Sequence, residues 1–189
     1  MSPAGNEQGR TTALTILTPI RRRWSPWLRL VFFLGTRLPL PRWTLLRLRL
    51  IHYGRFAIVD HIPPGAAREH RERLHSKYLL FESNFNGLWH SYIEAFSYVF
   101  PKGMRALWGS SYGFPGPVPV GPFKQWVRRN EFVASHYYSA YPEASTREVL
   151  AALELKAMAE ALARQAESSS PAEFRDAYHA FLEGAQRCL

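Results

Sequence analysis

The 189-residue sequence predicts an α+β domain of the ferredoxin-like order β-α-β-β-α-β, with extra helices at its C-terminal end. Three observations carry this: short runs rich in β-branched and aromatic residues, apolar residues at helical spacing between them, and Gly/Pro breaks separating the two kinds. Apolar content of 47% with 14% aromatic residues suits a chain that buries a core, and the length allows this without staples.

Residues 1–10 are polar with Pro and Gly and are expected to be mobile. Residues 11–18, β-branched and ended by Pro19, read as the first strand. Ser25 as N-cap, Pro26 at the first helical position, and Trp27, Leu30, Val31 and Leu34 at helical spacing predict a helix ending near Gly35. Residues 43–50 read as a short helix or a lead-in to a strand. A second strand is expected over 50–60, a turn over 61–65, a charged connection over 66–76 and a third strand over 77–83, so that strands two and three form a hairpin. Leu88, Tyr92, Phe96 and Val99 share one helical face and predict a helix to Phe100, stopped by Pro101-Lys102-Gly103. Residues 108–121 are dense in Gly, Pro and aromatics, a candidate lid or binding loop. Phe123, Trp126 and Val127 suggest a short helix, 134–141 the fourth strand, and Ser145 the cap of a helix over 146–165. A Ser-rich linker precedes a last amphipathic helix. The chain thus reads as a mobile segment 1–10, a ferredoxin-like domain 11–166 and a C-terminal helix 171–187. A four-stranded sheet with helices on one face needs cover on the other, so homodimerisation through the sheets is expected.

The net charge of +9 is unevenly placed. Residues 1–60 hold ten arginines against Glu7 and Asp60, whereas residues 131–189 hold five Lys/Arg against nine acids. The cationic third points to an anionic partner, and the basic-aromatic mixture Arg21-Arg22-Arg23-Trp24, Trp27, Arg29, Phe32 and Phe33 is of the kind found in helices lying on a membrane surface. The alternative is that the aromatic face packs on the sheet while the arginines are solvated. Nucleic acid is not expected as a partner, since no recognised motif accompanies the charge. The apolar stretch 27–40 is interrupted by Arg29, Arg37 and Pro39 and falls short of the roughly 20 residues of a membrane span; a signal peptide is not expected either. The lone Cys188 forms no internal disulfide and fits a reducing, cytoplasmic setting, with the membrane periphery as the alternative.

Nucleotide-binding loops, a nucleophile elbow and metal-ligand spacing are missing from the sequence, and no complete catalytic set stands in their place. The remaining candidates are single residues. His52 is read as a proton-transfer group or as a satisfied histidine in the sheet. It lies three residues from Arg55 on one strand, so the two face opposite ways unless Gly54 allows a bulge. Arg55 would anchor an anionic group or pair with Glu82 on the next strand. Asn84 either shapes a turn or meets a ligand. Trp108 and Tyr112 wall an apolar pocket or pack over the sheet end, and Tyr138 is one of three tyrosines alternating across the fourth strand.

Several motifs, Ile51-His52-Tyr53-Gly54-Arg55-Phe56, Leu80-Phe81-Glu82-Ser83-Asn84-Phe85-Asn86-Gly87, Gly113-Phe114-Pro115 and Tyr137-Tyr138-Ser139-Ala140-Tyr141-Pro142, together resemble a bacterial family of ferredoxin-like proteins. That family looks related to the dimeric α+β barrel superfamily, which includes dye-decolorising peroxidases, chlorite dismutase-like proteins and cofactor-free monooxygenases. The resemblance spans about residues 11–155. It implies a homodimer that binds a small apolar or aromatic molecule, an oxidoreductase if an enzyme, with haem as a cofactor by analogy only. On that reading His52 and Arg55 are catalytic, and Glu82, Asn84, Trp108, Tyr112 and Tyr138 line the ligand. The family's turn usually reads Ser-Asn-Tyr-Asp-Gly, and this chain departs from it at Phe85 and Asn86. The competing expectation is a non-enzymatic protein held at a membrane surface by its basic-aromatic N-terminal region.

Overall fold

The computed structural model describes residues 6–37, 49–62 and 72–188. They belong to two compact units, Met1–Glu143 and Ala144–Leu189, each treated by itself below.

The first unit opens with a small hairpin, β1 (Glu7–Gln8) antiparallel to the start of β2 (Thr11–Ile20). Gly9 turns the chain at φ 58°, and a Cβ there would meet the Pro142 carbonyl oxygen at 2.7 Å, so conformation and space both require glycine. The mobility expected of residues 1–10 therefore stops short of Asn6, whose buried side chain accepts the Ala134 N–H at 2.7 Å; residues 1–5 lie outside the described residues. Along β2, Thr12, Leu14, Ile16, Thr18 and Ile20 are buried while Ala13, Thr15, Leu17 and Pro19 are half-buried. This is the period-two signature of a strand with one face in the core.

A 3-10 turn at Arg22–Trp24 leads into α1 (Ser25–Arg37). The strands β3 (Ile51–Ile62) and β4 (Glu72–Asn86) form the expected antiparallel pair. β4 is much longer than residues 77–83: Lys77–Asn86 pair with β2, from Ile20↔Lys77 to Thr11↔Asn86, and Glu72 and Arg73 extend the pairing with Ile62 and His61 of β3. The turn over 61–65 and the connection over 66–76 fall largely outside the described residues, as does most of the 43–50 segment.

Two expectations change downstream. Pro101 does not end the helical region. It opens α3 (Pro101–Trp108) directly after α2 (Trp89–Val99), in a first-turn position where its missing N–H costs nothing. The fourth strand expected over 134–141 is replaced by a two-residue strand, β5 (Glu131–Phe132), which follows α4 (Val120–Asn130) and pairs with β2. Beyond it the backbone N–H groups of Ala134 and Ser139 are taken by the side chains of Asn6 and Gln8. These side-chain acceptors substitute for ladder bonds. The sheet order is β1-β2-β4-β3, with β5 also on β2, and every pairing is antiparallel. The class is α+β.

The core lies on one face of this sheet. Ile16, Leu79, Phe81 and Phe85 meet Leu28 of α1, Tyr92 and Ile93 of α2, Trp108 of α3, and Phe123 and Val127 of α4. Phe85 stacks on Tyr92 at 3.8 Å, and the Tyr92 hydroxyl is satisfied by Ser83 Oγ at 2.6 Å. Burial holds that phenol far above its ordinary pKa, so it stays neutral.

The second unit consists of α5 (Thr146–Ala166) and α6 (Pro171–Gln186), packed on each other. The residues 146–166, grouped by sequence with the preceding domain, thus join the last helix in one compact unit. Both helices begin with a capping box, Ser145 with Glu148 and Ser170 with Glu173. The helices approach closely at Gly184, where a Cβ would lie 3.0 Å from Met158 Sδ. Since α5 contains no fully buried residue, its caps matter: Ser145→Ala should cost about 1 kcal/mol, read as a loss of helical ellipticity and an earlier thermal transition of this unit.

Candidate functional site

The face of the sheet opposite the core carries four rows of side chains across three strands. The register places Ala13, Asn84 and Tyr53 in one row, Thr15, Glu82 and Arg55 in the next, then Leu17, Leu80 and Ala57, then Pro19, Tyr78 and Val59. Arg55 Nη2 donates to Glu82 Oε2 across the β3–β4 pair. The two side chains are 64% and 23% exposed, and a pair so open to water contributes at most about 1 kcal/mol. Its guanidinium remains accessible to a second anion. His52 sits at a register shift between Ile51 and Tyr53, whereas Gly54 pairs regularly with Ser83, and the His52 side chain is exposed at the sheet edge.

The other candidates are elsewhere. Trp108 is on the opposite side of the sheet, buried at the centre of an aromatic cluster with Phe56, Phe81, Phe123 and Trp126 at centroid distances of 5.2 to 6.5 Å. Tyr112 is an exposed loop residue, and Tyr138 is exposed in a segment without regular structure. The structure therefore brings together Arg55, Glu82 and Asn84, with His52 at their edge, and separates them from Trp108, Tyr112 and Tyr138. Between sheet and helices, Leu14, Ile16, Phe81, Tyr92, Phe96 and Trp108 line a void of about 10 Å³, about room for one water. This void is far too small for a haem, and His52 lies away from it at an exposed edge of the sheet.

The sequence signal from Arg21 to Arg37 produces a surface instead. Its helix exists as expected, but a different face is buried. Leu28 is fully buried and Phe32 half-buried. At about 100° per residue these lie roughly opposite Trp27, Leu30 and Leu34; Val31, the fourth residue of that helical spacing, is half-buried at the boundary. Trp24, Trp27, Leu30, Phe33 and Leu34 are exposed, each between 38% and 54%. The sequence contains no acid between Arg21 and Arg37. Arg22 and Arg23 are exposed, Arg37 lies over the Phe33 ring at 4.9 Å, and Arg21 over Tyr112 at 5.5 Å.

This helix is tied to the rest of its unit by polar contacts. Arg29 Nη2 reaches Asp60 Oδ2 at 3.4 Å, Lys77 Nζ donates to Ser25 Oγ at 3.1 Å, and Trp27 Nε1 donates to the Ala106 carbonyl at 3.3 Å. The His61 hydrogen bond to Asp60, helped by the Lys77 and Arg29 charges, holds the Asp60 carboxyl below the usual carboxylate range. Any stability it contributes is present above the unfolded carboxylate range and lost as pH falls through its depressed pKa.

One buried acid was not singled out in the sequence. The Glu131 side chain is 4% exposed, and its Oε2 meets Arg128 Nη1 at 3.3 Å. Burial raises its pKa, against the opposing Arg128 charge. The sign is the reverse of Asp60: the carboxyl is tolerated when protonated, so stability falls as pH rises from the unfolded carboxylate range through the raised pKa. Glu131→Gln should remove this slope. Urea titrations across the acid range should show parent and variant diverging toward neutrality, the variant being favoured.

No known family model, curated protein or solved structure matches the chain.

Proposed function

We propose that the chain binds anionic membrane surfaces peripherally, with α1 lying in the plane of the interface. The observation that carries this is the exposed stripe Trp24, Trp27, Leu30, Phe33 and Leu34, flanked by Arg21, Arg22, Arg23 and Arg37 with no acid among them. Indole and phenyl rings sit at the boundary between headgroups and acyl chains, while arginines reach the lipid phosphates. A helix whose outer face served solvent alone would carry polar residues there. Among the described residues, no helix is long and apolar enough to cross a membrane, so the contact proposed is one of surface docking. Co-sedimentation with phosphatidylserine-rich vesicles tests it. Binding that weakens with added salt and is much reduced on phosphatidylcholine alone is expected; equal partition with both lipids, or none, overturns it.

The sheet supports a second reading. Its neighbour pairs β5–β2, β2–β4 and β4–β3, with the core on one face, are those that a ferredoxin-like arrangement would need. Leu17, Leu80, Ala57, Val59 and Tyr78 on the other face form an apolar surface suited to a second copy. In such a homodimer Arg55, Glu82 and Asn84 would stand at the joint, where a small anionic aromatic molecule could be held. Leu80→Arg should convert a dimer to a monomer in light scattering; a monomeric parent would rule the pairing out. The oxidoreductase reading rests on the family resemblance alone, and an absorption spectrum with mass spectrometry of protein purified from its own host tests whether any ligand accompanies it.

A further inference from the structure

We infer that Tyr112, on the loop joining α3 to α4, makes a second contact with the same bilayer and fixes the orientation in which α1 docks. The inference rests on the membrane reading of α1. The start of this loop is a rigid extension of the strand from which α1 departs. Ser111 bridges to Ile20, the Arg21 N–H donates to the Ser110 carbonyl at 3.0 Å, and the Tyr112 N–H donates to the Pro19 carbonyl at 3.0 Å. Beneath, Thr18 and Ser111 share a buried hydrogen bond of 2.8 Å, and Trp126 Nε1 donates to the Tyr112 carbonyl at 3.1 Å.

These contacts fix the backbone at the start of the loop, yet Tyr112 is left 56% exposed, with the Arg21 guanidinium 5.5 Å from its ring centroid. A fixed backbone presenting an exposed ring with a polar tip beside a cation is what an interfacial anchor requires: the ring enters the headgroup boundary and the arginine meets phosphate. Charge complementarity selects the occupant. Residues 109–119 contain no charged side chain, so nothing in the loop repels an anionic surface, and Lys102 and Arg105 on α3 are exposed cations. With α1 and Tyr112 both engaged, the sheet face bearing Arg55 remains in water.

The test is environment-sensitive fluorescence from the full-length chain in a Cys188→Ser background, with the label nitrobenzoxadiazole placed at Leu34→Cys, Tyr112→Cys or Arg55→Cys. With phosphatidylserine-rich vesicles, emission should rise and shift to the blue at positions 34 and 112 and stay unchanged at 55. A shift at 34 with position 112 remaining aqueous overturns the Tyr112 contact and leaves α1 docking intact. A shift at 55 overturns the orientation. No shift at any position, together with failed co-sedimentation, overturns the membrane reading itself.

Discussion

Replacing Arg21, Arg22 and Arg23 together by alanine should weaken binding to phosphatidylserine-rich vesicles about 100-fold at moderate salt. Each arginine close to an anionic surface contributes about 1 kcal/mol, and about 1.4 kcal/mol corresponds to tenfold. Arg22 and Arg23 are fully available for this, being exposed at the entrance to α1. Replacement by lysine should recover most of the affinity, since the attraction to a diffuse lipid charge needs the cation more than the guanidinium fork. The apolar half of the surface is tested by Leu30→Asp with Leu34→Asp, which removes inserted hydrocarbon and adds repelling charge. Because these side chains are already exposed, the thermal transition should move little. A fold that stays intact while vesicle binding survives both sets of substitutions would sink the proposal.

The largest stability effect is expected at Trp108. Its ring touches Phe56 and Phe81 of the sheet and Phe123 and Trp126 of α4. Trp108→Ala should cost about 3–5 kcal/mol, a large part of the roughly 5–15 kcal/mol that holds a domain folded. Urea denaturation should show the midpoint falling, or no cooperative transition at all. The indole N–H is buried without a hydrogen-bond partner among the described residues, so the ring area, not the polar edge, does the stabilising. Trp108→Phe should accordingly lose much less than the alanine variant, whereas equal losses would place the contribution in the N–H.

Much of the fold is legible in the residues. The β-branched run at the start of β2, the aromatic run of β4, the helical spacing of α2 and the Ser145 cap all appear where local chemistry puts them. The α1 helix is legible as well, but its buried face is not. Trp27, Leu30 and Leu34 share a helical face, and so do Leu28 and Phe32. Periodicity reveals apolar faces but not which of them the sheet covers, and here the smaller stripe is the one turned inward. The expected fourth strand failed for a related reason. Its alternation is real, but a strand needs a free edge, and the edge of β2 is shared between β1 and β5.

The candidate site followed the same division. Arg55 and Glu82 were paired from sequence because neighbouring strands in a hairpin must bring some charges together, and the register set them opposite each other. That Trp108 lies on the other side of the sheet, and Tyr112 beside Arg21, depended on how the chain returns after α2, which no local pattern encodes. The sequence by itself determined the strands β2, β3 and β4 and the helices α1, α2, α5 and α6 to within a few residues, where the cationic third lies and which residues carry charge. Only the tertiary structure decided which apolar face of α1 is left exposed, because burial is settled by the shape of the neighbouring elements and their competition for one sheet face.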